Sequence, residues 1–535
     1  MQSKISYIYI STLALFLYGC AQVVVPTGGD RDLIPPKVIS TTPENGSTLF
    51  NANEITINFD EYIQLTNITE ELSVSPPLKN RPNIQLKGKS IIIKIEDTLQ
   101  TNTTYSFNFG NAIKDNHEGN VLSNYQYAFS TGKQIDTLKV SGLALDAFTI
   151  EPVDKILVML YTNPTDSTPY NELPRYITKT NKQGEFTLNN IKEGNYLIFA
   201  LDDKNRTLML DQPTEVIAFQ KELITVDTSL EGLKLFTFLE DKNPQFLKKS
   251  TFKNDVLQLV LNQPTNEIEI NAIDTKIDSK QLIKHVYPNK DTIDFIFIPT
   301  DSIEFSVEVI ADNKILDTVE LSIGPKAESD SLLTFKQSFP SSRHKISQPI
   351  TVSFIVPLKE FDPTKIFFFK DSLPADFSLK FTDEQKKTIL FNTDLKEATN
   401  YKIMVLPGAF TDVFSRTTDT INASFKTSEF KEYGNLSVTI NTTAPKENER
   451  MIVQLANSSK QIVATSVIKN KETIEFTSLN SGSYKLKVVF DANGNGTWDT
   501  GDFMKGLMPE KVALYEGEIT IRSNWDKKIN WIITP

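Results

Sequence analysis

The stretch that decides the fold is Leu99–Phe109, LQTNTTYSFNF, which returns later in the chain as Leu395–Val405, LKEATNYKIMV. Both copies keep a Leu, a Thr and a Tyr at the same spacing, and a Phe follows the Tyr after 24 residues in each. An Asp-containing turn lies between them, at Asp115 in the first copy and Asp412 in the second. This pattern predicts an inward-facing Tyr, a turn and a closing strand in two modules of one design.

Around these stretches, short runs alternate apolar and polar residues with the period of two that half-buried strands show. Such runs are Ile55–Phe59, Tyr105–Phe109, Leu257–Asn262, Phe305–Val309, Ile350–Phe354, Ser437–Asn441 and Tyr484–Val488. The continuous apolar run Phe295–Ile298 predicts a strand that is buried on both faces. Turn residues recur between the runs and almost no helical period appears. The sequence therefore predicts an all-β fold with several β-sandwiches in series.

The first repeat resembles the SbsA-type bacterial Ig-like domain, whose usual run is L-x-x-x-T-x-Y, then D-x-x-G-N, then F-x-T. The copy that ends at Phe129-Ser-Thr131 follows this run, although its turn from Asp115 to Asn120 is one residue longer. The copy that ends at Phe425-Lys-Thr427 lacks the Gly-Asn pair, so its turn must be built differently. The resemblance implies two Ig-like sandwiches.

A second repeat places a Tyr two residues after a Gly and an Asp further on. Its copies are Ile191-x-x-Gly194-x-Tyr196 with Asp202, and Leu479-x-x-Gly482-x-Tyr484 with Asp491. Glycine allows the chain to turn tightly before a strand that starts at the Tyr. These blocks resemble the prealbumin-like β-sandwich of the CnaB or carboxypeptidase-regulatory type, which implies two modules of that kind.

The amino terminus, residues 1–19, is typical of an export signal, with Lys4 before a largely apolar run that is short for a membrane span. The chain's one cysteine follows in Leu17-Tyr18-Gly19-Cys20, which resembles a bacterial lipobox. This resemblance implies cleavage before Cys20, acylation of its thiol and anchoring to a membrane. Residue 21 is Ala rather than the Asp of the inner-membrane retention rule, so we expect an outer-membrane lipoprotein. The alternative is an ordinary signal peptide with an incidental cysteine.

These patterns divide the chain into seven segments. We predict a signal peptide at 1–19, a lipidated Gly- and Pro-rich tether at 20–34, an Ig-like domain at 35–132, a prealbumin-like sandwich at 133–230, an unassigned β-module at 231–326, a second Ig-like domain at 327–430 and a C-terminal prealbumin-like sandwich at 431–535. The segment 231–326 is rich in strand patterns but carries no motif that identifies it.

The composition limits the functions of the chain. Its 535 residues include 56 Lys and Arg against 67 Asp and Glu, a net charge of −11, which argues against nucleic acid as the main partner. Three His and one Cys cannot supply a zinc site of the usual spacing. No nucleophile motif accompanies the three His, and we expect His117, in the Asp115 turn, and His344, in a polar loop, to be solvated surface residues. The sequence therefore predicts a protein that is not an enzyme and has no catalytic residues.

The sharpest local motif is DANGNGTWDTGD, which begins at Asp491 and fits the calcium pattern D-x-[DN]-x-[DN]-G. It predicts a calcium site with oxygen ligands from Asp491, Asn493, Asn495, Thr497, Asp499 and Asp502. Asp502 replaces the usual bidentate Glu and the loop carries three carboxylates, so we expect modest affinity. The alternative is a polar hairpin loop whose glycines serve only the backbone. No other cofactor is expected.

All three Trp lie in the last module: Trp498, Trp525 and Trp531. We expect Trp525 and Trp531 to be core or edge residues of a terminal strand, because large aromatics usually pack in cores. Trp498 lies inside the calcium motif and is the best candidate for an exposed ring that contacts a glycan.

Asp followed by Ser or Thr and then an apolar residue recurs through the chain. The hydroxyl residues are Thr98, Thr137, Thr292, Ser302, Thr318, Ser331, Ser372 and Thr420. The pattern resembles the short O-glycosylation acceptor motif of some exported bacterial proteins. The equal alternative is that Asp ends a turn and Thr begins a strand.

The sequence thus predicts a non-enzymatic envelope lipoprotein, on the cell surface or the periplasmic face of the outer membrane. Its partners are the membrane, through Cys20, and an unidentified envelope protein or polysaccharide. We expect a modular stalk for adhesion or envelope-protein interaction. The alternatives are a carbohydrate-binding accessory for polysaccharide capture and a purely structural scaffold.

Overall fold

The computed structural model shows a chain built almost wholly of β-strands, as the sequence predicts. It describes residues 31–242, 244–253, 255–265, 267–273, 282–287, 290–298, 303–323, 332–339, 343–442, 450–469 and 472–533. The predicted signal peptide and Cys20 lie outside these ranges. Within them, none of the helices has the length and hydropathy of a membrane span. The helical elements there are the single turns Ile68–Glu71, Thr168–Asn171, Pro363–Lys365 and Phe430–Glu432.

The chain divides into two compact units. The first unit comprises residues 1–145, 152–211 and 215–237, and the second comprises 146–151, 212–214 and 238–535. The first unit contains two sandwiches, which we number first and second. The second unit contains the third, fourth and fifth sandwiches.

The first sandwich packs two main sheets and a short antiparallel pair of strands, ordered β1-β2-β6-β5, β4-β7-β9 and β3-β8. Its strands are β1 (Val38–Thr42), β2 (Glu54–Phe59), β3 (Ile63–Leu65), β4 (Ser73–Ser75), β5 (Asn83–Lys87), β6 (Ser90–Lys94), β7 (Thr104–Asn108), β8 (Ile113–Asp115) and β9 (Gln126–Ser130). The alternation predicted for β2 is confirmed, because Ile55 and Ile57 are fully buried while their neighbours are not.

Two polar contacts tie the described end of the tether to this sandwich. The side-chain amide of Asn120 donates to the carbonyl oxygen of Asp32 at 3.0 Å and to that of Ile34 at 3.3 Å. The predicted tether, residues 20–34, therefore ends on the turn that follows Asp115.

The fourth sandwich has the same strand order with two further strands, β26 and β30, at the edges of its second sheet, which agrees with the predicted duplication. Its sheets run β25-β27-β32-β31, β26-β35-β33-β29-β30 and β28-β34. Its strands are β25 (Phe335–Gln337), β26 (Arg343–His344), β27 (Ile350–Phe354), β28 (Leu358–Phe361), β29 (Ile366–Lys370), β30 (Leu373–Pro374), β31 (Ser378–Phe381), β32 (Thr388–Asn392), β33 (Asn400–Val405), β34 (Phe410–Asp412) and β35 (Ile421–Thr427).

The repeated Tyr carries the same contacts in both copies. The hydroxyl of Tyr105 accepts the backbone N–H of Gln100 at 2.9 Å, and its ring stacks on Phe129 with 5.6 Å between centroids. In the fourth sandwich, Tyr401 stacks on Phe425 at the same 5.6 Å. Its hydroxyl also accepts a backbone N–H five residues earlier, at 2.8 Å. The motif thus joins a buried aromatic pair to the chain that enters the strand.

The two copies share this spacing, but their Asp turns are built differently. The buried carboxylate of Asp115 accepts four backbone N–H groups, from residues 117 to 120, at 2.6–2.9 Å. Burial raises the pKa of Asp115, but these donors outweigh burial and lower the pKa to about 2. Asp412 lacks the Gly-Asn turn and instead accepts the guanidinium Nε of Arg416 at 2.7 Å, besides two backbone N–H groups. The expectation that the second turn differs is confirmed.

The second and fifth sandwiches share another strand order, except that β15 pairs with β17 in the second and joins its strands into one sheet. The second has β12-β11-β14-β15-β17-β10-β13 with β16 on β14, from β10 (Leu138–Asp146), β11 (Leu157–Tyr161), β12 (Tyr176–Lys179), β13 (Glu185–Ile191), β14 (Gly194–Leu201), β15 (Val216–Phe219), β16 (Ile224–Val226) and β17 (Leu230–Leu239). In both, the repeated Tyr donates its hydroxyl to the carbonyl four residues earlier, Tyr196 to Lys192 at 2.6 Å and Tyr484 to Asn480 at 2.7 Å.

The fifth sandwich ends the second unit. Its sheets are β39-β36-β43, where β36 and β43 run parallel, and β38-β37-β40-β41 with β42 on β40. A loop that contains the predicted calcium motif joins β40 to β41. The strands are β36 (Gly434–Thr442), β37 (Arg450–Asn457), β38 (Ile462–Lys469), β39 (Glu472–Leu479), β40 (Gly482–Asp491), β41 (Val512–Leu514), β42 (Ile519–Ile521) and β43 (Asp526–Ile533).

The third sandwich is the module that no motif identified. It packs a four-stranded sheet, β18-β19-β22-β21, on a three-stranded one, β20-β23-β24. Its strands are β18 (Leu247–Lys253), β19 (Val256–Leu261), β20 (Ile268–Ala272), β21 (Leu282–Val286), β22 (Thr292–Phe297), β23 (Ile303–Ala311) and β24 (Lys314–Ile323). The predicted boundary at 230/231 is corrected, because it falls at the start of β17, which pairs within the second sandwich.

The first prediction concerns the repeated Tyr hydroxyls. We expect Tyr105→Phe and Tyr401→Phe each to lower the free energy of unfolding of their own sandwich by about 1 kcal/mol, the net value of one hydrogen bond. Hydrogen exchange in β9 and β35 measures this loss module by module. The exposed Tyr62 provides the control, since Tyr62→Phe should leave the exchange of β9 unchanged. An equal loss in the control would contradict a specific role for the buried hydroxyls.

The second prediction concerns acid stability. An Asp in the unfolded chain has a pKa of about 3.9. The lower pKa of Asp115 in the folded chain therefore contributes stability that is complete above about pH 4 and is lost as the pH falls towards 2. Asp115→Asn should therefore flatten the pH dependence of the stability of the first sandwich between these values and should lower that stability at neutral pH. Acid titrations followed by hydrogen exchange test this. Glu44→Gln, at an exposed carboxylate, is the control and should leave the acid transition in place.

Candidate functional site

The predicted calcium motif begins at the end of β40, where the side chain of Asp491 is buried at 1% exposure. Its two carboxylate oxygens accept the backbone N–H groups of Asn495 and Gly496, each at 3.0 Å. Gly494 and Gly496 both have positive φ, of 75° and 85°, so the glycines of the motif do let the chain turn back over this carboxylate.

The next four polar residues of the motif, Asn493, Asn495, Thr497 and Asp499, hydrogen-bond to one another. The side-chain amides of Asn493 and Asn495 donate to the same oxygen of Asp499, at 2.6 and 2.8 Å. Their amide oxygens are also engaged, since Asn493 accepts the backbone N–H of Asn495 and Asn495 accepts both the N–H and the hydroxyl of Thr497. The loop is therefore closed by its own hydrogen bonds.

The last predicted ligand, Asp502, binds Lys505 and not the other residues of the motif. Its carboxylate pairs with Lys505 at 2.8 Å and accepts the backbone N–H of that residue at 3.1 Å. The Lys505 ammonium holds the pKa of Asp502 below its usual value. Across the described residues, no three His, Cys, Asp or Glu side chains form a group that could hold a metal ion. The structure thus brings Asp491, Asn493, Asn495 and Asp499 together but gives Asp502 a different partner.

Glu510 joins this loop, and the sequence analysis missed it. Its carboxylate accepts the backbone N–H of Ala492 at 2.7 Å and that of Asp499 at 3.2 Å. Burial raises the pKa of Glu510, and the charges of Asp499 and Asp491 raise it further. Glu510 lies eight residues beyond Asp502, outside the twelve-residue motif, so no motif position signals it.

Trp498 is half-buried rather than an open platform. Its indole N–H donates to the carbonyl oxygen of Glu510 at 2.8 Å, and its ring lies 5.1 Å from that of Phe148, tilted by 53°. Phe148 belongs to the segment 146–151 of the same compact unit, and its other ring contact is the ammonium of Lys487 at 3.3 Å. The expectation that Trp498 is the exposed Trp is therefore wrong, although its contact with a glycan stays a prediction.

The exposed Trp is Trp525, which the sequence placed in the core or at a strand edge. It lies just before β43 with 56% of its surface exposed and stacks on the guanidinium of Arg522 at 5.2 Å. Trp531 lies on β43, as expected, and packs edge-on against Tyr515. The difference arises because Trp525 ends a turn and does not enter the sheet.

The histidines also differ from expectation in one case. His117 is exposed in the Asp115 turn, as expected. His344, expected on the surface, is fully buried, stacks on Phe425 at 5.2 Å, and its Nε2 lies 2.9 Å from the carbonyl oxygen of Gln348. Burial lowers the pKa of His344, which favours the neutral ring. Its place in β26 makes it a core residue of the fourth sandwich.

The hydroxyls of the Asp-Ser/Thr-apolar pattern are mostly accessible. Among the described ones, Thr98, Thr137, Thr318, Ser372 and Thr420 are exposed and Thr292 is half-buried. Ser302 and Ser331 lie outside the described residues. Exposure agrees with an acceptor role and equally with strand-entry turns, so both alternatives remain predictions.

One part of the chain matches a known family model. Residues 32–131, the first sandwich with the end of its tether, match the bacterial Ig-like domain. This match confirms the Ig-like part of the resemblance for that sandwich. The lipoprotein and prealbumin-like parts remain predictions. No curated protein matches the chain.

Solved structures give likenesses over long stretches at low identity. The S-layer protein rSbsC is 13% identical, with 90% of this chain and 67% of that chain covered at a TM-score of 0.16. BcpA, the major pilin subunit of Bacillus cereus, is 10% identical, with 75% and 99% covered at 0.14. An L,D-transpeptidase from Mycobacterium smegmatis is 14% identical, with 38% and 90% covered at 0.14. Likenesses at these scores carry no argument about function.

The third prediction concerns calcium. Because the loop satisfies its own polar groups and Asp502 pairs with Lys505, we expect calcium to bind no more tightly than the millimolar range. Isothermal calorimetry on the mature chain with Cys20→Ser measures this affinity. Asp491→Asn together with Asp499→Asn should abolish any calcium heat, whereas Asp502→Asn should leave it unchanged. A micromolar dissociation constant, or loss of binding in Asp502→Asn, would contradict this account of the loop.

Proposed function

We propose that this chain is a non-enzymatic envelope lipoprotein whose β-sandwiches form a rigid spacer for adhesion or for contact with other envelope proteins. The observation that carries the proposal is the way in which sandwiches are joined within each compact unit. They meet through specific polar contacts, some of them buried, and at one joint through apolar packing as well. They are therefore not joined by free linkers alone. A spacer needs such joints, because independent modules on free linkers do not hold a binding surface at a defined place.

In the first unit, the joint lies between β4 and β12. The hydroxyl of Ser75 donates to the carbonyl oxygen of Ile177 at 3.1 Å and accepts its N–H at 2.9 Å. Both residues are buried. Arg175 adds contacts from its guanidinium to the side chain of Gln100 at 2.5 Å and to the hydroxyl of Thr103 at 3.2 Å. These contacts pair the edge of one sandwich with the edge of the next.

In the second unit, the joint between the third and fourth sandwiches contains a buried ion pair. Asp294 on β22 and Lys387 lie 3.2 Å apart with side-chain exposures of 2% and 7%. The carboxylate also accepts from the side-chain amide of Gln258 and the hydroxyl of Tyr287, each at 3.0 Å. Burial lowers the pKa of Lys387, and the charge of Asp294 opposes this lowering.

Apolar packing surrounds this ion pair. Val256 and Ile296 of the third sandwich form a buried cluster with Val356 of the fourth, and Val413 and Phe414 pack against it. Ile296 is fully buried on the face of β22 opposite to its own core, so the prediction that this strand is buried on both faces is confirmed. The second face is covered by the neighbouring sandwich.

The joint between the fourth and fifth sandwiches consists of polar contacts at partly buried and exposed positions. The ammonium of Lys345 donates to the carbonyl oxygen of Ser478 at 3.0 Å and lies 4.7 Å from the ring centroid of Tyr433. Arg343 pairs with Glu432 at 2.5 Å. Three sandwiches of the second unit are therefore linked in sequence by specific contacts.

The fourth prediction tests the buried joint. Lys387→Met leaves the carboxylate of Asp294 buried without its cation, which should cost about 3–5 kcal/mol and open the joint. Faster hydrogen exchange at Val256 and at Val413–Phe414, with the core of β33 unaffected, is the expected signature. Lys386→Met, at the exposed neighbour, is the matched control. The pair Asp294→Asn with Lys387→Met should recover part of the loss, and a joint that stays closed in Lys387→Met would contradict the rigid spacer.

The fifth prediction tests the anchor and the direction of the spacer. Cys20→Ser should release the protein from the membrane into the soluble fraction, and retention on the membrane would exclude the lipoprotein. In cells that carry a C-terminal epitope, added protease should remove the epitope while a periplasmic control stays intact. Protection until the outer membrane is permeabilised would exclude adhesion and leave a periplasmic scaffold.

A further inference from the structure

A groove of about 1070 Å³ lies within the first compact unit, between its two sandwiches. One wall comes from residues 68–84 and 108–124 of the first sandwich, and the other from residues 154–208 of the second. The Ser75–Ile177 contact fixes the two edge strands, β4 and β12, that border the groove. The groove is therefore preformed, which lowers the entropic cost of binding.

The charge of this groove is opposite to that of the chain. Its lining contains seven Lys and Arg against five Asp and Glu, whereas the whole chain has a net charge of −11. Two of the cations already have carboxylate partners, because Arg206 pairs with Glu70 at 2.7 Å and Lys204 lies 4.0 Å from Asp202. The other cations of the lining are Lys79, Arg81, Lys155, Lys179 and Lys182.

Four exposed cations of the groove have no carboxylate within 4.0 Å among the described residues: Lys79, Arg81, Lys155 and Lys182. Lys79 and Arg81 lie on the wall of the first sandwich, and Lys155 and Lys182 on the wall of the second. A fifth cation, Lys179, is partly buried between the walls and donates to the carbonyl oxygen of Glu70. A ligand in the groove would therefore meet positive charge on both sides.

The other lining groups indicate the chemistry of that ligand. The side-chain amides of Asn111 and Asn124 make no hydrogen bond in the described part of the chain, and each offers both donors and an acceptor to hydroxyl groups. The lining contains no Phe, Tyr or Trp, so it has no platform for the base stacking on which binding of single-stranded nucleic acid depends. Cations for carboxylates and amides for hydroxyls together fit a sugar acid.

We propose that this groove binds an acidic polysaccharide, with uronate carboxylates on Lys79, Arg81, Lys155 and Lys182 and sugar hydroxyls on Asn111 and Asn124. The volume exceeds that of a site for one drug-sized ligand, so it accommodates several sugar units of a chain. The inference goes beyond the spacer function and is independent of it. It requires only the first unit's own residues and neither the lipid anchor nor the joints of the second unit.

The test uses the full mature chain with Cys20→Ser and the polymer polygalacturonate, in calorimetry at low salt. We expect binding that disappears at 1 M salt, where the Debye length falls to about 3 Å, and no binding of neutral dextran. Changing Lys79, Arg81, Lys155 and Lys182 to Ala should weaken binding at least tenfold. Changing Asn111 and Asn124 to Ala should weaken it without altering the salt dependence.

A matched variant separates the groove from overall charge. Lys248, Lys249, Lys314 and Lys336 are exposed lysines of the second unit, and their change to Ala gives the same net charge. This control should bind polygalacturonate as the parent does. Equal loss in both variants would overturn the proposal, as would no binding by the parent. Equal binding of poly-glutamate would also overturn it, since the site would then recognise acidic peptide. Membrane release and epitope protection test the spacer separately.

Discussion

The stacked Tyr–Phe pair is the interaction on which the Ig-like sandwiches depend. Tyr105 on Phe129 and Tyr401 on Phe425 have the same centroid distance, and each Tyr hydroxyl binds the backbone of the loop that leads into its strand. One side chain thus fills the core and satisfies a backbone donor outside it. Because this requires a fixed spacing of loop, strand and partner strand, the spacing survives in two modules whose other residues differ.

The joints between sandwiches follow from a second constraint, the burial of outer sheet faces. A sheet with apolar residues on both faces must be covered twice, and β22 is covered by its own core and by the neighbouring sandwich. Asp294 shares that outer face, so its charge is buried too and needs Lys387, Gln258 and Tyr287 around it. A buried charge with three partners fixes an orientation that apolar packing alone leaves open.

The calcium motif shows how far a local pattern predicts a site. The glycines and the first aspartate take the positions that the motif requires, since these depend on neighbours in sequence. The direction of Asp502 depends on Lys505, and the arrival of Glu510 depends on the path of the loop back to β41. Trp498 is half-buried because Phe148, distant in sequence, covers its ring, whereas Trp525 is exposed because it ends a turn.

The sequence by itself determined the all-β class, the two repeated modules and the positions of their Tyr residues, because period-two alternation and fixed spacing are local properties of the chain. It also predicted that the second Asp turn is built differently, from the absence of one Gly-Asn pair. Only the tertiary structure decided the end of the second sandwich at Leu239, the burial of His344, the partners of Asp294 and the cationic groove of the first unit. Each of these depends on contacts between residues far apart in the chain, whose meeting is set by packing and not by local pattern.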